Sequence, residues 1–219
     1  MTTSEQAKVR EHFEKTAAEF DSIYSGRKSA FSRWLDRVFR KDMYDRFRLT
    51  VEECGIGAID TVLDIGTGSG RFCIPLAQRG KRIVGVDFSR PMLEMARQYA
   101  DAAGVSGRCE FREGNFADMA FDRPFDAVMA IGLFDYIRGP GPFLEKIRGL
   151  VRKKLVATFP ALWTWRVVPR WVRLTFKGCP VFFFTPRRVK DLCARTGFDI
   201  VRFERVGKIY FVVAVPKAT

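Results

Sequence analysis

The chain has 219 residues, of which 47% are hydrophobic, and a formal net charge of +13 at neutral pH. This length predicts one domain with a sizeable core. The sequence shows no apolar N-terminal stretch typical of a signal peptide, and no run near the roughly 18 apolar residues that a membrane span needs. Its five cysteines are scattered, with neither disulfide nor metal-ligand spacing, which predicts a reducing, cytoplasmic environment.

Residues 1–54 are predicted to form a helical segment. Apolar side chains recur at helical spacing over residues 5–24, and a second basic, aromatic helical stretch covers about residues 30–53. The first helix contains His12, the single histidine of the chain. Because an imidazole takes up protons near neutral pH, His12 is a candidate general base, although lone histidines more often lie on the surface or pack in a core.

A glycine-rich turn follows the first predicted strand. Residues 62–72 read VLDIGTGSGRF, an apolar strand that leads into Gly66, Gly68 and Gly70 and then into a helix near Arg71. Glycines at this spacing allow a sharp bend and let a ligand lie against backbone N–H groups. The spacing differs from the G-x-G-x-x-G of dinucleotide-binding turns. The acid Asp64 before the turn would repel a phosphate but suits a ligand with an ammonium group.

The second predicted strand also ends in an acid. Residues 84–89 read VGVDFS, and an acid at this position holds a ribose diol in nucleotide-binding α/β sheets. Ser89 is a plausible N-cap for a helix over residues 90–103, with Pro91 in its first turn. If Asp87 holds the ribose, Met92 lies near the adenine.

Together, the glycine turn after Asp64 and the strand ending at Asp87 resemble motif I and the following acidic motif of the class I S-adenosylmethionine-dependent methyltransferases. A turn that binds nothing, or binds NAD, is the alternative. The resemblance implies a Rossmann-like, doubly wound α/β fold over residues 55–219, with a seven-stranded sheet that is mostly parallel and has an antiparallel last strand. It implies S-adenosylmethionine as cofactor, S-adenosylhomocysteine as product and no metal.

The resemblance also implies the positions that contact the cofactor. Asn115 stands where the family usually has an acid beside the adenine amino group, and it keeps an acceptor while losing the charge. Residues 125–132 are predicted to form the fourth strand. The loop that follows this strand faces the ligand in such sheets. The implied contacts are Asp64, Gly66, Thr67, Gly68, Gly70, Asp87, Phe88, Met92, Asn115, Phe116, Ala130, Ile131 and Gly132. Asp135 and Tyr136 are candidates for the reacting centre, or for capping and packing a helix.

Basic residues are concentrated late in the chain. Residues 146–190, which we call the basic segment, hold twelve bases and no acid: Lys146, Arg148, Arg152, Lys153, Lys154, Arg166, Arg170, Arg173, Lys177, Arg187, Arg188 and Lys190. A fifth strand at residues 155–160 precedes an insert, residues 160–184, in which tryptophans alternate with these bases. A helix from Pro186 to about Thr196 and a hairpin-like strand pair then complete the sheet.

The insert allows three interpretations. It is a lid that grips an anionic, amphipathic substrate, a segment that contacts an anionic membrane surface, or a surface that follows a nucleic-acid backbone. Residues 9–18 (VREHFEKTAA), the basic insert and residues 202–210 (RFERVGKIY) resemble those of magnesium-protoporphyrin O-methyltransferases and related small-molecule or lipid methyltransferases, which favours an amphipathic substrate. O-methylation is the favoured reaction, and the candidate substrate contacts are Tyr24, Trp163, Arg166, Arg170 and Tyr210. The alternatives are an RNA or other nucleic-acid methyltransferase and a cofactor-binding module without catalysis.

Overall fold

A computed structural model of the protein describes residues 41–162 and 181–218. Its centre is a seven-stranded sheet in the order β3-β2-β1-β4-β5-β7-β6. The strands are β1 Thr61–Ile65, β2 Arg82–Asp87, β3 Cys109–Glu113, β4 Phe125–Ala130, β5 Val151–Pro160, β6 Phe198–Val206 and β7 Ile209–Pro216. The helices are α1 Lys41–Gly55, α2 Cys73–Gln78, α3 Arg90–Ala102, α4 Gly141–Leu150 and α5 Pro186–Arg195, with short 3₁₀ turns at Ser106–Arg108 and Phe116–Asp118.

Strands β1 to β5 are parallel, whereas β7 runs antiparallel to both of its neighbours, β5 and β6. The predicted doubly wound α/β sheet with an antiparallel last strand is therefore confirmed. The strand order reverses between β1 and β4. Ligands bind α/β sheets at such a reversal, outside the carboxyl ends of the strands.

The core lies on both faces of the sheet because neighbouring residues of each buried strand point to opposite sides. Val62, Met129 and Val156 pack in one cluster with residues of α1, α2 and α3. Leu63 and Leu155 pack in a second cluster with residues of α4 and α5. A parallel sheet covered on both faces needs apolar side chains at nearly every position, and all six residues of β4 are buried.

Helix α1 is the described part of the helix predicted over about residues 30–53. Leu49, Val51 and Cys54 are buried in the core cluster on its face of the sheet. The predicted boundary at residue 54 assigns α1 to the N-terminal helical segment, but this half of α1 packs as a layer of the core. Glu53 fixes it further, since its carboxylate lies 2.8 Å from Arg202 Nη1 in β6 and 3.1 Å from Lys154 Nζ in β5.

The other predicted elements are present with shifted ends. The helix expected near Arg71 is the short α2, which begins at Cys73, and the fifth strand begins at Val151 rather than residue 155. Thr185 caps α5 as expected, because its Oγ1 accepts a hydrogen bond from the backbone N–H of Arg188 at 3.2 Å. Within residues 41–162 and 181–218, no helix is both long and apolar enough to cross a membrane.

We predict that Glu53→Gln lowers the free energy of unfolding at pH 7 by about 1–3 kcal/mol, because two cationic groups lose their charged acceptor. Partial burial raises the pKa of Glu53, but the hydrogen bonds and charges of Arg202 and Lys154 outweigh it and hold the pKa below 4.5. The contribution of Glu53 is therefore present above pH 4.5 and disappears as the pH falls through its lowered pKa. Urea unfolding at several pH values measures both effects.

The matched control is Glu52→Gln on the same helix. Glu52 pairs with Arg48 at 3.0 Å, but both side chains are largely exposed, and exposed pairs of this kind contribute about 0.5 kcal/mol or less. Equal losses in the two variants would contradict the role given to Glu53 in docking α1.

Candidate functional site

The glycine turn, residues 66–70, connects β1 to α2 at the carboxyl edge of the sheet. Gly66, Gly68 and Gly70 all have positive φ angles, between 53° and 76°. Gly70 is also limited by space, since a Cβ there would lie 3.1 Å from the Cβ of Ala96 in α3. The backbone N–H groups of Gly66 and Thr67 donate to Val86 O at 2.8 and 3.1 Å. The turn is therefore fixed to the end of β2.

The carboxylate of Asp87 completes this connection. Its Oδ2 accepts the Gly68 N–H at 2.8 Å, and its Oδ1 accepts the Ser89 N–H at 2.9 Å. Burial raises the pKa of Asp87, and backbone hydrogen bonds from Ser89, Gly68 and Phe88 act in the opposite direction. Each carboxylate oxygen can accept more than one hydrogen bond, so both keep acceptor capacity for a further donor such as a hydroxyl.

Asp64 lies beneath the glycine turn and is 1% exposed. Its Oδ2 accepts a hydrogen bond from Thr67 Oγ1 at 2.9 Å and from Cys73 Sγ at 3.3 Å. Burial raises the pKa of Asp64 to about 6, against the hydrogen bonds from Thr67 and Cys73, and the charge of Asp87 raises it further. The hydrogen bond from Thr67, a residue of the glycine turn, thus connects the side chain of Asp64 to that turn.

On the β3 side, Asn115 caps a short 3₁₀ turn. Its Oδ1 accepts the Ala117 N–H at 3.1 Å, and its Nδ2 donates to Asp118 Oδ2 at 2.8 Å. The Phe116 ring is 3% exposed and packs against Phe143, with 4.8 Å between ring centroids. The side chain predicted to pack against an adenine is thus part of the core, and Phe116 offers only its backbone at this edge.

On the β4 side, the chain leaves the sheet through Ala130, Ile131 and Gly132. Ala130 is buried and Ile131 half-buried. Gly132 has a φ of 73°, and its N–H donates to Thr158 Oγ1 at 2.8 Å. Beyond the second strand, Phe88 is half-buried and Met92, in the first turn of α3, is 5% exposed. The predicted cofactor contacts therefore all lie at or next to one edge of the sheet.

Two further residues at this edge were not predicted as ligand contacts. One of them, Ser89, was predicted as the N-cap of α3, but its side chain makes no capping hydrogen bond. Among the described residues, Arg46 Nε and Ser89 Oγ are buried side-chain atoms without a hydrogen-bond partner. Arg46, in α1, reaches the end of β4, where its Nη1 lies 3.5 Å from the Cβ position of Gly132. Buried polar groups are normally paired, so both atoms have capacity for a polar ligand. Only the fold brings α1 to this edge, and the sequence carries no local signal for it.

The candidates for the reacting centre are partly described. Asp135 and Tyr136 lie after β4 as predicted, with Asp135 buried and Tyr136 half-buried. The Asp135 backbone oxygen accepts the Phe182 N–H at 2.8 Å. Tyr210, predicted as a substrate contact, is 3% exposed and stacks on Phe203, so its side chain is part of the core. The remaining candidates lie outside the described residues: His12, Tyr24, Trp163, Arg166 and Arg170.

A family model described as "Methyltransferase domain" matches residues 62–154, the region from β1 into β5 that carries this edge. This region of the chain is therefore similar to a methyltransferase domain, as the glycine turn and Asp87 predict. Two curated relatives match the same region. An ubiquinone biosynthesis O-methyltransferase from Azorhizobium caulinodans is 35% identical over 91 residues, which are 41% of this chain and 35% of that protein. A tRNA 5-carboxymethoxyuridine methyltransferase from Escherichia coli is 30% identical over 93 residues, which are 42% and 36% of the two chains.

The match thus spans about a third of the length of these curated relatives. Among solved structures, magnesium protoporphyrin IX methyltransferase from Synechocystis with bound SAH superposes with a TM-score of 0.74. The alignment covers 97% of this chain and 100% of that one at 20% identity. At this identity, the likeness shows that the two chains share a fold.

We predict that the buried Asp64 makes stability fall as the pH rises. The pKa of Asp64 is about 6 in the folded chain and 3.8 ordinarily. Between pH 3.8 and pH 6, the folded state therefore holds the Asp64 proton more tightly than the unfolded state does. The free energy of unfolding contributed by this group therefore decreases from pH 4 to pH 6 by up to about 3 kcal/mol, and is constant outside that window. Chemical unfolding of the wild type and of Asp64→Asn across this range measures the difference.

In Asp64→Asn this part of the pH dependence is absent. The control Asp60→Asn changes an exposed acid just before β1 and should retain the wild-type slope. A slope in Asp64→Asn equal to that of the wild type would show that the pKa of Asp64 is close to its ordinary value.

Proposed function

We propose that the protein transfers a methyl group from S-adenosylmethionine to a small or amphipathic, anionic acceptor, with oxygen as the favoured acceptor atom. The observation that carries this proposal is the hydrogen bond between Gly68 N–H and Asp87 Oδ2. It holds the glycine turn beside an acid with acceptor capacity to spare. A Gly-rich turn next to such an acid suits a nucleoside whose ribose hydroxyls are donors.

In this proposal each part of the edge binds one part of the cofactor. Asp87 accepts hydrogen bonds from the ribose hydroxyls, and the backbone of the glycine turn lies against the nucleoside. The backbone around Asn115 and Phe116, with Met92, contacts the adenine. Asp64 supplies the negative charge that favours the ammonium group, acting through the turn because it lies beneath it.

Arg46 is assigned to the carboxylate of the methionine part. Its guanidinium lies beside Gly132, at the end of β4, where the methionine part is predicted to lie. A guanidinium forms two parallel hydrogen bonds with a carboxylate, and the buried Nε of Arg46 has no partner among the described residues. Asp64 and Arg46 together match a ligand that carries one ammonium and one carboxylate.

When bound, the cofactor supplies a methyl carbon made electrophilic by its sulfonium. The protein's contribution is to align the acceptor atom in line with the methyl–sulfur bond and to keep the two close. A carboxylate acceptor needs no base at neutral pH, whereas a hydroxyl or phenol does. Asp135, Tyr136 and His12 are the proposed bases for such an acceptor, and Asp135 and Tyr136 follow the strand nearest to the methionine part.

The anionic acceptor is proposed from the basic segment, but part of that charge is already used. Lys146 Nζ donates to two backbone oxygens in the loop after β3, at 2.5 and 2.8 Å. Arg148 donates to Gly197 O and Lys217 O, and Lys153 and Lys154 pair with acids. The proposal therefore assigns acceptor binding to Trp163, Arg166 and Arg170 in the insert, with Tyr24 from the N-terminal segment.

RNA methylation is the second candidate function. The net charge of +13 and the match to a tRNA methyltransferase favour it, because lysine and arginine side chains on a protein surface bind the phosphate backbone of RNA. The ubiquinone-pathway match favours a small acceptor. A cofactor-binding module without catalysis is the third candidate.

Methyl transfer from radiolabelled S-adenosylmethionine into a cell extract, followed by separation of aqueous, organic-soluble, protein and nucleic-acid fractions, distinguishes these candidates. We expect label in the organic-soluble fraction.

Asp87→Ala should weaken cofactor binding by about 1–3 kcal/mol through loss of charge-assisted hydrogen bonds, and transfer at low cofactor concentration should fall accordingly. The exposed Glu94→Ala in α3 is the control. Label in RNA would contradict the small acceptor, and unchanged binding by Asp87→Ala would contradict the ribose assignment.

The assignment of Arg46 is tested with two ligands that differ only in the amino-acid part. Arg46→Gln should weaken S-adenosylhomocysteine binding about ten-fold or more, since the carboxylate loses its charged partner. Binding of 5′-methylthioadenosine, which has no carboxylate, should stay within about two-fold of the wild type. Calorimetric titration measures both. Arg48→Gln on the same helix is the control, and equal losses for the two ligands would show that Arg46 supports the fold instead.

A further inference from the structure

A polar groove lies at the edge of the sheet opposite to the proposed cofactor site. It is formed where β1 to β5 begin, and it encloses about 420 Å³. Four arginines line it, from β2, from the 3₁₀ turn before β3, from the loop before β4 and from β5: Arg82, Arg108, Arg123 and Arg152. We call it the arginine groove. Because parallel strands present their amino ends at one edge and their carboxyl ends at the other, it is separate from the glycine turn.

The acids of the groove already have partners. Asp126 accepts the backbone N–H groups of Asp60 and Thr61 at 3.0 and 3.1 Å, and its other oxygen lies 3.3 Å from Lys153 Nζ. Glu110 pairs with Arg112 at 2.7 Å. Of the three acids in the lining, Asp60 alone has no cation assigned to it among the described residues.

The arginines are not balanced in the same way. Arg108 donates one hydrogen bond to Gly80 O at 3.0 Å, an uncharged acceptor. Within the described residues, Arg82, Arg123 and Arg152 have no hydrogen bond or ion pair with another side chain, and all three are exposed. These three arginines outnumber Asp60, the one lining acid without a cation among the described residues. Guanidinium groups that lack an ionic partner bind phosphate oxygens in bidentate pairs. The groove is thus an anion site by its charge.

The shape of the groove points to a chain of anionic groups. Its arginines come from four strands or their approaches in a sheet ordered β3-β2-β1-β4-β5, and the spacing between strands of about 4.8 Å gives a length of about 19 Å. Among the described residues that line the groove, Phe125 is the single aromatic one, and it is 7% exposed. Since single-stranded nucleic acids are bound largely through bases that stack on aromatic side chains, a nucleic acid fits this lining less well than a small polyphosphate.

We propose that the arginine groove binds a small ligand with consecutive phosphate groups, such as a nucleoside triphosphate or an inorganic polyphosphate. Arg82, Arg123 and Arg152 hold the phosphates, with Arg108 at the β3 end. This site does not depend on the proposed methyl transfer, because it shares no residue with the cofactor edge.

Calorimetric titration of the full chain with inorganic tripolyphosphate, at low and at physiological salt, tests the proposal. Saturable binding is expected, and Arg82→Gln/Arg152→Gln should weaken it about ten-fold or more. The control Arg187→Gln/Arg195→Gln removes the same charge from exposed positions on α5 and should change the affinity by less than about two-fold. Thermal unfolding of each variant establishes that it is folded.

Two results would overturn the proposal. One is that tripolyphosphate shows no saturable binding, or that both double variants lose the same amount of affinity for it. Either finding would mean that the groove is only diffuse surface charge. The other is tight binding of a single-stranded RNA oligonucleotide that depends on Arg82 and Arg152 while tripolyphosphate does not bind, which would make the groove a nucleic-acid surface. Tripolyphosphate binding that is weakened only by the groove substitutions supports it.

Discussion

The hydrogen bond from Gly68 N–H to Asp87 Oδ2 is the constraint on which the proposed cofactor site depends. It joins the turn after β1 to the end of β2, and the N–H groups of Gly66 and Thr67 add two more bonds to Val86 O. The backbone of this turn adopts positive φ angles that side chains with a Cβ rarely tolerate. Asp64 supports the same turn from below through Thr67, at the expense of burying a carboxylate.

The basic residues that carry the excess positive charge form one long segment in the sequence. In the folded chain these residues have different partners and lie at different places. Lys146 and Arg148 donate to backbone oxygens, and Lys154 docks α1 by pairing with Glu53. Arg152, two residues earlier on the same strand, faces the arginine groove at the opposite edge. A run of like charges in a sequence is therefore not by itself one surface, because the fold gives each basic side chain different neighbours.

The sequence predicted the fold because its signals were local: the glycine spacing, the acid after β2 and the Thr185–Pro186 cap each act within a few residues. Arg46 was missed because its significance arises from a contact across the fold, between α1 and the end of β4. Ser89 was predicted only as an N-cap, a role in which its side chain makes no hydrogen bond. Phe116 was assigned to the ligand because the aromatic cluster with Phe143 is not visible in the order of residues. The ends of α2 and β5 differ because tertiary packing sets element boundaries.

The position of β7 has a consequence for the order in which this sheet is assembled during synthesis. β7 follows β6 along the chain yet lies between β5 and β6, so β6 has no partner strand until β7 has left the ribosome. Thr158, which holds Gly132, lies in β5 opposite Phe211 of β7. The loop after β4 therefore gains its final support only after β7 has been made, and until then the open edge of β5 is available for incorrect pairing.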